Sequence, residues 1–183
     1  SSWKKVTCSF GTRFWKLGPL PENGSELQEQ LAQLTAVDPS VPVTVDGKEC
    51  FWKLYDFSMR WGVEGDPGPQ GYHGLKELIS DDFIVLGRQE RRDTEFTYEK
   101  EPEGSRYYLW TSIQAPRDAA AWIRTGSLKP AAVWINGAKV DDLSAKVMLK
   151  VGANPVVLRY DSPGRTHFVL EFADMASEPS DFP

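Results

Sequence analysis

Cysteine and histidine are almost missing from this chain: Cys8, Cys50, His73 and His167 are the whole supply in 183 residues. Two cysteines this far apart in sequence build no disulfide framework. They pair if their strands are adjacent, and otherwise serve as small buried hydrophobes. Four scattered ligands without the short paired spacings exclude the common zinc motifs. Long apolar runs are lacking too; nothing approaches the roughly 18 residues that a spanning helix needs, so no membrane partner is expected. Positive charge is in deficit, with 21 Lys and Arg against 26 Asp and Glu and a formal net charge of -5. Phosphate binding needs a basic face, so no nucleic-acid partner is expected. The densest basic spot, Arg88 to Asp93, is diluted by Glu90 and Asp93 and reads as a solvated turn.

Catalytic signatures are missing in the same way. The Gly-Ser pairs at 24–25, 104–105 and 126–127 lack the second glycine of a nucleophile elbow. The glycine-rich 62–74 stretch has the wrong spacing for a phosphate loop, and no βαβ pattern follows it. Neither histidine has a nucleophile beside it, so neither is expected to act as a base. Glu64, Asp66, Asp81 and Asp82 lie close together in sequence, but carboxylates in a hydrophilic loop more often form turns or hold ions than share acid-base work. The chain is therefore expected not to be an enzyme. It opens on Ser1-Ser2-Trp3 with no leader-type apolar segment, the expected start of a mature or excised module.

What is plentiful is aromatic. Seven Trp, six Tyr and nine Phe supply flat rings that suit both a β-sheet core and stacking on sugar rings. Val6, Cys8 and Phe10 alternate as in a half-buried strand, and Phe14 to Leu17 continue the apolar material to a break at Gly18-Pro19. Ser25 with Gln28 three positions on reads as a capping box, and Leu27, Leu31 and Leu34 form one helical stripe. Val41 to Val45, Asp46-Gly47 and Glu49 to Phe57 read as a hairpin; so do the runs on either side of Asn136-Gly137, because both dipeptides tolerate positive φ. Arg60 to Gly74 carries five Gly and two Pro in fifteen residues and must be a loop. Further strands are expected at Asp82 to Gly87, Thr94 to Glu99, Tyr107 to Gln114, Ala119 to Arg124, Lys146 to Val151, Val156 to Tyr160 and Thr166 to Phe172. Many short strands at regular spacing predict an all-β sandwich with one short helix, a single domain over 1–183 in which 1–58 supply edge strands and 173–183 fray.

Two blocks carry a resemblance. Val133-Trp134-Ile135-Asn136-Gly137, followed by Leu149-Lys150-Val151-Gly152-Ala153-Asn154, resembles the VWING strand end and LKxGxN turn of galactose-binding-like jelly-roll domains in multidomain glycoside hydrolases. Tyr55 to Lys76 and Ser80 to Gly87 look like ancillary β-sandwich regions of large bacterial polysaccharide-degrading enzymes, the rhamnosidase-like ones among them. The likeness covers residues 50–172. It implies a jelly-roll β-sandwich outside the cytoplasm, extracellular or periplasmic, that either binds polysaccharide or oligosaccharide or braces the catalytic domain of the same parent chain. It also implies a structural calcium, for which Asp81 and Asp82, then Asp66, Asp141 and Asp142, are the hard-oxygen candidates; adjacent aspartates are equally ordinary turn residues.

A sugar site needs an aromatic platform beside paired hydrogen-bonding groups. The 60–74 loop offers Trp61 and Tyr72 as platforms, with Arg60, Asp66, Gln70 and His73 as polar partners. The same rings could instead pin the loop to the sandwich. Trp134 becomes a second platform if Val133 and Ile135 point inward. Trp110 reads as interior, while Trp15, Trp52 and Trp122 are undetermined. Stacking on neutral sugar predicts weak binding that is insensitive to salt. The rivals are a ligand-free structural domain and a small glycan-active hydrolase with two carboxylates roughly 5 to 10 Å apart.

Overall fold

The computed structural model describes residues 14–21, 25–55, 84–92 and 95–173. The expected strand Trp3 to Phe10, the 60–74 loop and residues 174–183 lie outside the described residues. Within them run helix α1 (Ser25–Ala32) and the strands β1 (Phe14–Leu20), β2 (Val43–Val45), β3 (Lys48–Cys50), β4 (Lys53–Tyr55), β5 (Ile84–Leu86), β6 (Arg88–Arg92), β7 (Glu95–Glu99) and β8 (Arg106–Ala115). The chain continues through β9 (Ala119–Thr125), β10 (Ala132–Ile135), β11 (Ala138–Lys139), β12 (Lys146–Leu149), β13 (Gly152–Tyr160), β14 (Gly164–Thr166) and β15 (Phe168–Phe172). The fold is all-β, with antiparallel sheets and one short helix, as the strand spacing predicts.

Six strands form the larger sheet in the order β11-β10-β13-β8-β1-β4, and three form the smaller, β12-β9-β15. The spine is β13 on β8, in unbroken register from Gly152 opposite Ala115 to Tyr160 opposite Tyr107. Alternation sends Tyr107 and Leu109 to one face and Tyr108 and Trp110 to the other, and all four are buried. On the first face the larger sheet meets the smaller: Val133, Val156 and Leu158 pack with Ala121, Ile123 and Leu149. On the second face the larger sheet has a lid of its own. Leu27 and Leu31 of α1, with Val45 and Trp52, cover Leu17, Tyr108, Trp110, Trp134 and Val157. The helical stripe is thus used as expected, with Leu34 partly buried against the same cluster. The Trp110 indole N–H donates to the Leu34 carbonyl at 3.0 Å, so its one polar atom is satisfied inside.

Both Gly-containing hairpin turns have positive φ at both central residues, +49° and +75° at Asp46-Gly47 and +53° and +79° at Asn136-Gly137. The second turn is tied down twice. Gln33 at the end of α1 donates to the Gly137 carbonyl at 3.2 Å, and the Asn136 side chain donates to Asn154 Oδ1 at 2.8 Å. Asn154 is fully buried and donates to the carbonyls of Lys150, Gly152 and Ile113, while its oxygen also accepts the Lys150 N–H. The Val133–Gly137 strand end and the Leu149–Asn154 turn therefore meet through one side-chain pair. Between them the chain crosses from β12 in the smaller sheet to β13 in the larger.

Three expectations change. Gly18-Pro19 does not end its strand: β1 continues to Leu20, with a register shift against β8 between Leu17 and Leu20. Pro lacks a ladder donor, and here none is needed on the second side, because β4 pairs only with Phe14 to Lys16. The expected strand Glu49 to Phe57 is split, β3 closing the small hairpin and β4 joining the larger sheet, with Trp52 turned into the core between them. Arg88 to Arg92 is no turn but a strand paired with β7, in a register that sets Arg88 opposite Glu99 and Arg92 opposite Glu95.

Candidate functional site

Most of the expected sugar site falls outside the described residues: Arg60, Trp61, Asp66, Gln70, Tyr72 and His73 all do, as do Asp81 and Asp82. Trp134 is described, and it is not a platform. Val133 and Ile135 do point into the inter-sheet core, which turns Trp134 the other way, but that way lies the layer made by α1 and Trp52, and the ring is only 7% exposed. Alternation gave the direction correctly; the covered second face decides the outcome. Trp52 and Trp110 are buried in the same layer, and Trp15 packs against it.

Trp122 has a different setting. It sits mid-strand in β9, the central strand of the smaller sheet, between the inward-facing Ala121 and Ile123. Its side chain therefore projects from the outer face, where it is partly exposed and belongs to neither core cluster. The registers place Lys146 of β12 and Glu171 of β15 directly across from it. Along the same face lie Met148, 64% exposed, and Val169, 43% exposed. Arg124 donates through Nε to Glu171 Oε2 at 2.6 Å, with both side chains open to solvent. Its guanidinium stands 5.9 Å from the Trp122 ring centroid, and the Lys146 ammonium stands 5.0 Å from it. Lys146 has no carboxylate partner among the described residues. The result is a ring on a flat strand face, flanked by a paired cation and an unpaired one, with Met148 and Val169 as apolar shoulders.

A groove of about 410 Å³ adjoins this face. It opens beside the edge strands β11 and β12, shares Lys146 and Met148 with the Trp122 face, and is also lined by Lys139, Asp141 and Asp142. Its size is that of a small-molecule site. Asp142 is already engaged: its Oδ1 accepts the Ser144 N–H at 2.8 Å and the Ser144 hydroxyl at 2.6 Å, which lowers its pKa. That is a turn-forming aspartate, the ordinary reading of an Asp pair. Among the described residues no group of three or more His, Cys, Asp or Glu converges as a metal site would require.

Several other charged groups serve the structure. Asp161 takes Arg106 Nε at 2.8 Å and Arg159 at 3.1 Å, while Arg159 also binds Gln28 of α1, clamping the helix to β13. Asp118 accepts the Val151 N–H at 2.7 Å and so fixes the crossing between sheets. Glu101 accepts the Tyr107 hydroxyl at 3.2 Å; burial, then this carboxylate, pushes the Tyr107 phenol well above its ordinary value. Lys16 lies 5.8 Å from the same ring, and burial lowers its ammonium while Glu101 opposes that shift. His167 falls between β14 and β15, where its carbonyl accepts the Gly126 N–H at 3.1 Å. Cys50 is a free, half-buried thiol on β3; Cys8 lies outside the described residues. No model of a known family, no curated protein and no solved structure matches the chain.

The sequence alone leaves Trp122 undetermined, because Ala121-Trp122-Ile123 and Val133-Trp134-Ile135 carry the same pattern. One local signal does separate them. Arg124 follows Trp122 on the same face, whereas the positions flanking Trp134 on its face are Ala132 and Asn136, so the outward face of β9 is marked by a charge.

Proposed function

We propose that the protein is a noncatalytic carbohydrate-binding module, a galactose-binding-like jelly-roll that works beside a polysaccharide-degrading catalytic domain outside the cytoplasm. The observation that carries this reading is the outer face of the smaller sheet, where Trp122 lies partly exposed on a flat strand between Arg124, Glu171 and Lys146. A pyranose has an apolar C–H face and a rim of hydroxyls. An indole supplies the stacking surface, and charged side chains around it donate and accept hydrogen bonds to the rim. Because the ring is carried by the central strand of a sheet anchored in the inter-sheet core, the platform is preformed, which saves ordering entropy on binding. The neighbouring groove gives room for a further sugar residue along β12. Trp61 and Tyr72, on the glycine-rich stretch, are the second proposed location.

The test is a glycan array followed by calorimetry on the wild type and on Trp122→Ala, Trp61→Ala and Tyr72→Ala. Binding lost in Trp122→Ala with an unchanged melting temperature supports the sheet face. Binding lost only in Trp61→Ala or Tyr72→Ala moves the site to the 60–74 stretch. No glycan bound by the wild type removes the reading and favours a ligand-free brace, for which the uncovered apolar shoulders Met148 and Val169 are the natural contact.

A further inference from the structure

We infer that the Trp122 face selects sugars that carry a carboxylate, with Lys146 as the selecting residue; the inference rests on the proposed reading of this face as a glycan platform. The Lys146 ammonium stands 5.0 Å from the indole centroid, closer than the Arg124 guanidinium at 5.9 Å. The two cations differ in what else they hold. Arg124 is bound to Glu171 at 2.6 Å, so its charge is answered. Lys146 has the ring and, among the described residues, no carboxylate.

An arriving sugar and the ammonium compete for the same indole. A neutral pyranose that stacks on Trp122 must push Lys146 away and forfeit the cation-π contact, and offers the ammonium only uncharged hydroxyl acceptors in return. A uronate residue repays the loss, because its carboxylate takes the displaced ammonium at the edge of the ring as the C–H face takes the indole. The register of Lys146 directly opposite Trp122 holds the ammonium within reach of both arrangements.

The experiment compares wild type with Lys146→Ala, using calorimetry on oligogalacturonate, alginate oligomers and glucuronoxylan fragments, each beside its methyl-esterified form. Wild type should prefer the acid form of the bound glycan by about 3- to 10-fold, the range of a charge-assisted contact at a surface, and lose that preference as salt rises. Lys146→Ala should weaken the acid form to the level of the ester and strengthen the ester by about 2- to 5-fold, since the ring is then uncapped. This crossing of the two affinities is the signature of competition and does not follow from a purely structural lysine. Equal binding of acid and ester by the wild type, or acid binding untouched in Lys146→Ala, overturns the inference and leaves the glycan reading standing. Failure of acid, ester and array glycans alike overturns both.

Discussion

Val133-Trp134-Ile135 and Ala121-Trp122-Ile123 are the same sentence written on two sheets, and they end differently. In both, the flanking residues point into the core between the sheets and the tryptophan points away from it. The larger sheet is then covered a second time, by α1 and Trp52, and Trp134 becomes interior. The smaller sheet has no second cover among the described residues, and Trp122 meets solvent between Lys146 and Arg124. The direction of a strand side chain is a local property set by period two; whether that direction leads to water is decided by what packs beyond it.

Truncating the two rings should therefore separate the regions most sharply. Trp134→Ala removes a filled volume under the helix and should cost about 3–5 kcal/mol of stability by chemical denaturation, the usual range for a large core aromatic. The corresponding loss for Trp122→Ala should stay under about 1 kcal/mol. Comparable losses would mean that the smaller sheet's outer face is covered after all.

Asn154→Ala probes the joint between the regions. It strips hydrogen bonds from the Lys150, Gly152 and Ile113 backbone and from Asn136 at a fully buried position, and should cost roughly 2–4 kcal/mol. Because the joint carries the chain from one sheet to the other, glycan binding by the folded fraction should survive. Selective loss of binding without loss of stability would show that the joint positions the platform.

Gly137→Ala is expected to be milder, about 1–2 kcal/mol, since a Cβ at φ +79° is strained and would come within 2.9 Å of Gln33 Oε1, a flexible side chain that can withdraw. The cost should appear in the melting temperature and leave Trp122 fluorescence unchanged.

An alkaline titration sharpens the contrast without mutation. Burial raises the phenol pKa of Tyr107 and Tyr160 on the inter-sheet face and of Tyr108 on the helix-covered face above the ordinary value of 10.0. Neutral phenols are favoured in the fold, so their stabilising effect is intact below pH 10 and drains away as pH rises, when the unfolded chain ionises first. Absorbance at 295 nm should show these tyrosines ionising only together with the loss of β-sheet circular dichroism. Their ionisation in a folded protein would contradict the dry double packing of the larger sheet.

Much of this was legible in the residues. Asp46-Gly47 and Asn136-Gly137 announced their turns because a two-residue hairpin demands positive φ twice. Leu27 and Leu31 announced the helical face. What the residues hid was tertiary: a strand that runs through Gly18-Pro19 where its neighbour has already ended, a run from Glu49 that divides between two sheets, and an arginine-rich segment that pairs as a strand with β7. The site was hidden for the same reason, since coverage of a sheet's second face is written in distant segments.

The central claim is that the Trp122 ring, and neither Trp110 nor Trp134, meets the glycan. Indole N–H cross-peaks, assigned through Trp122→Phe, Trp134→Phe and Trp110→Phe and followed while a bound oligosaccharide is titrated in, report on it directly. The account predicts that the Trp122 peak moves with saturation while those of Trp110 and Trp134 stay in place. A stationary Trp122 peak at saturating glycan would contradict it.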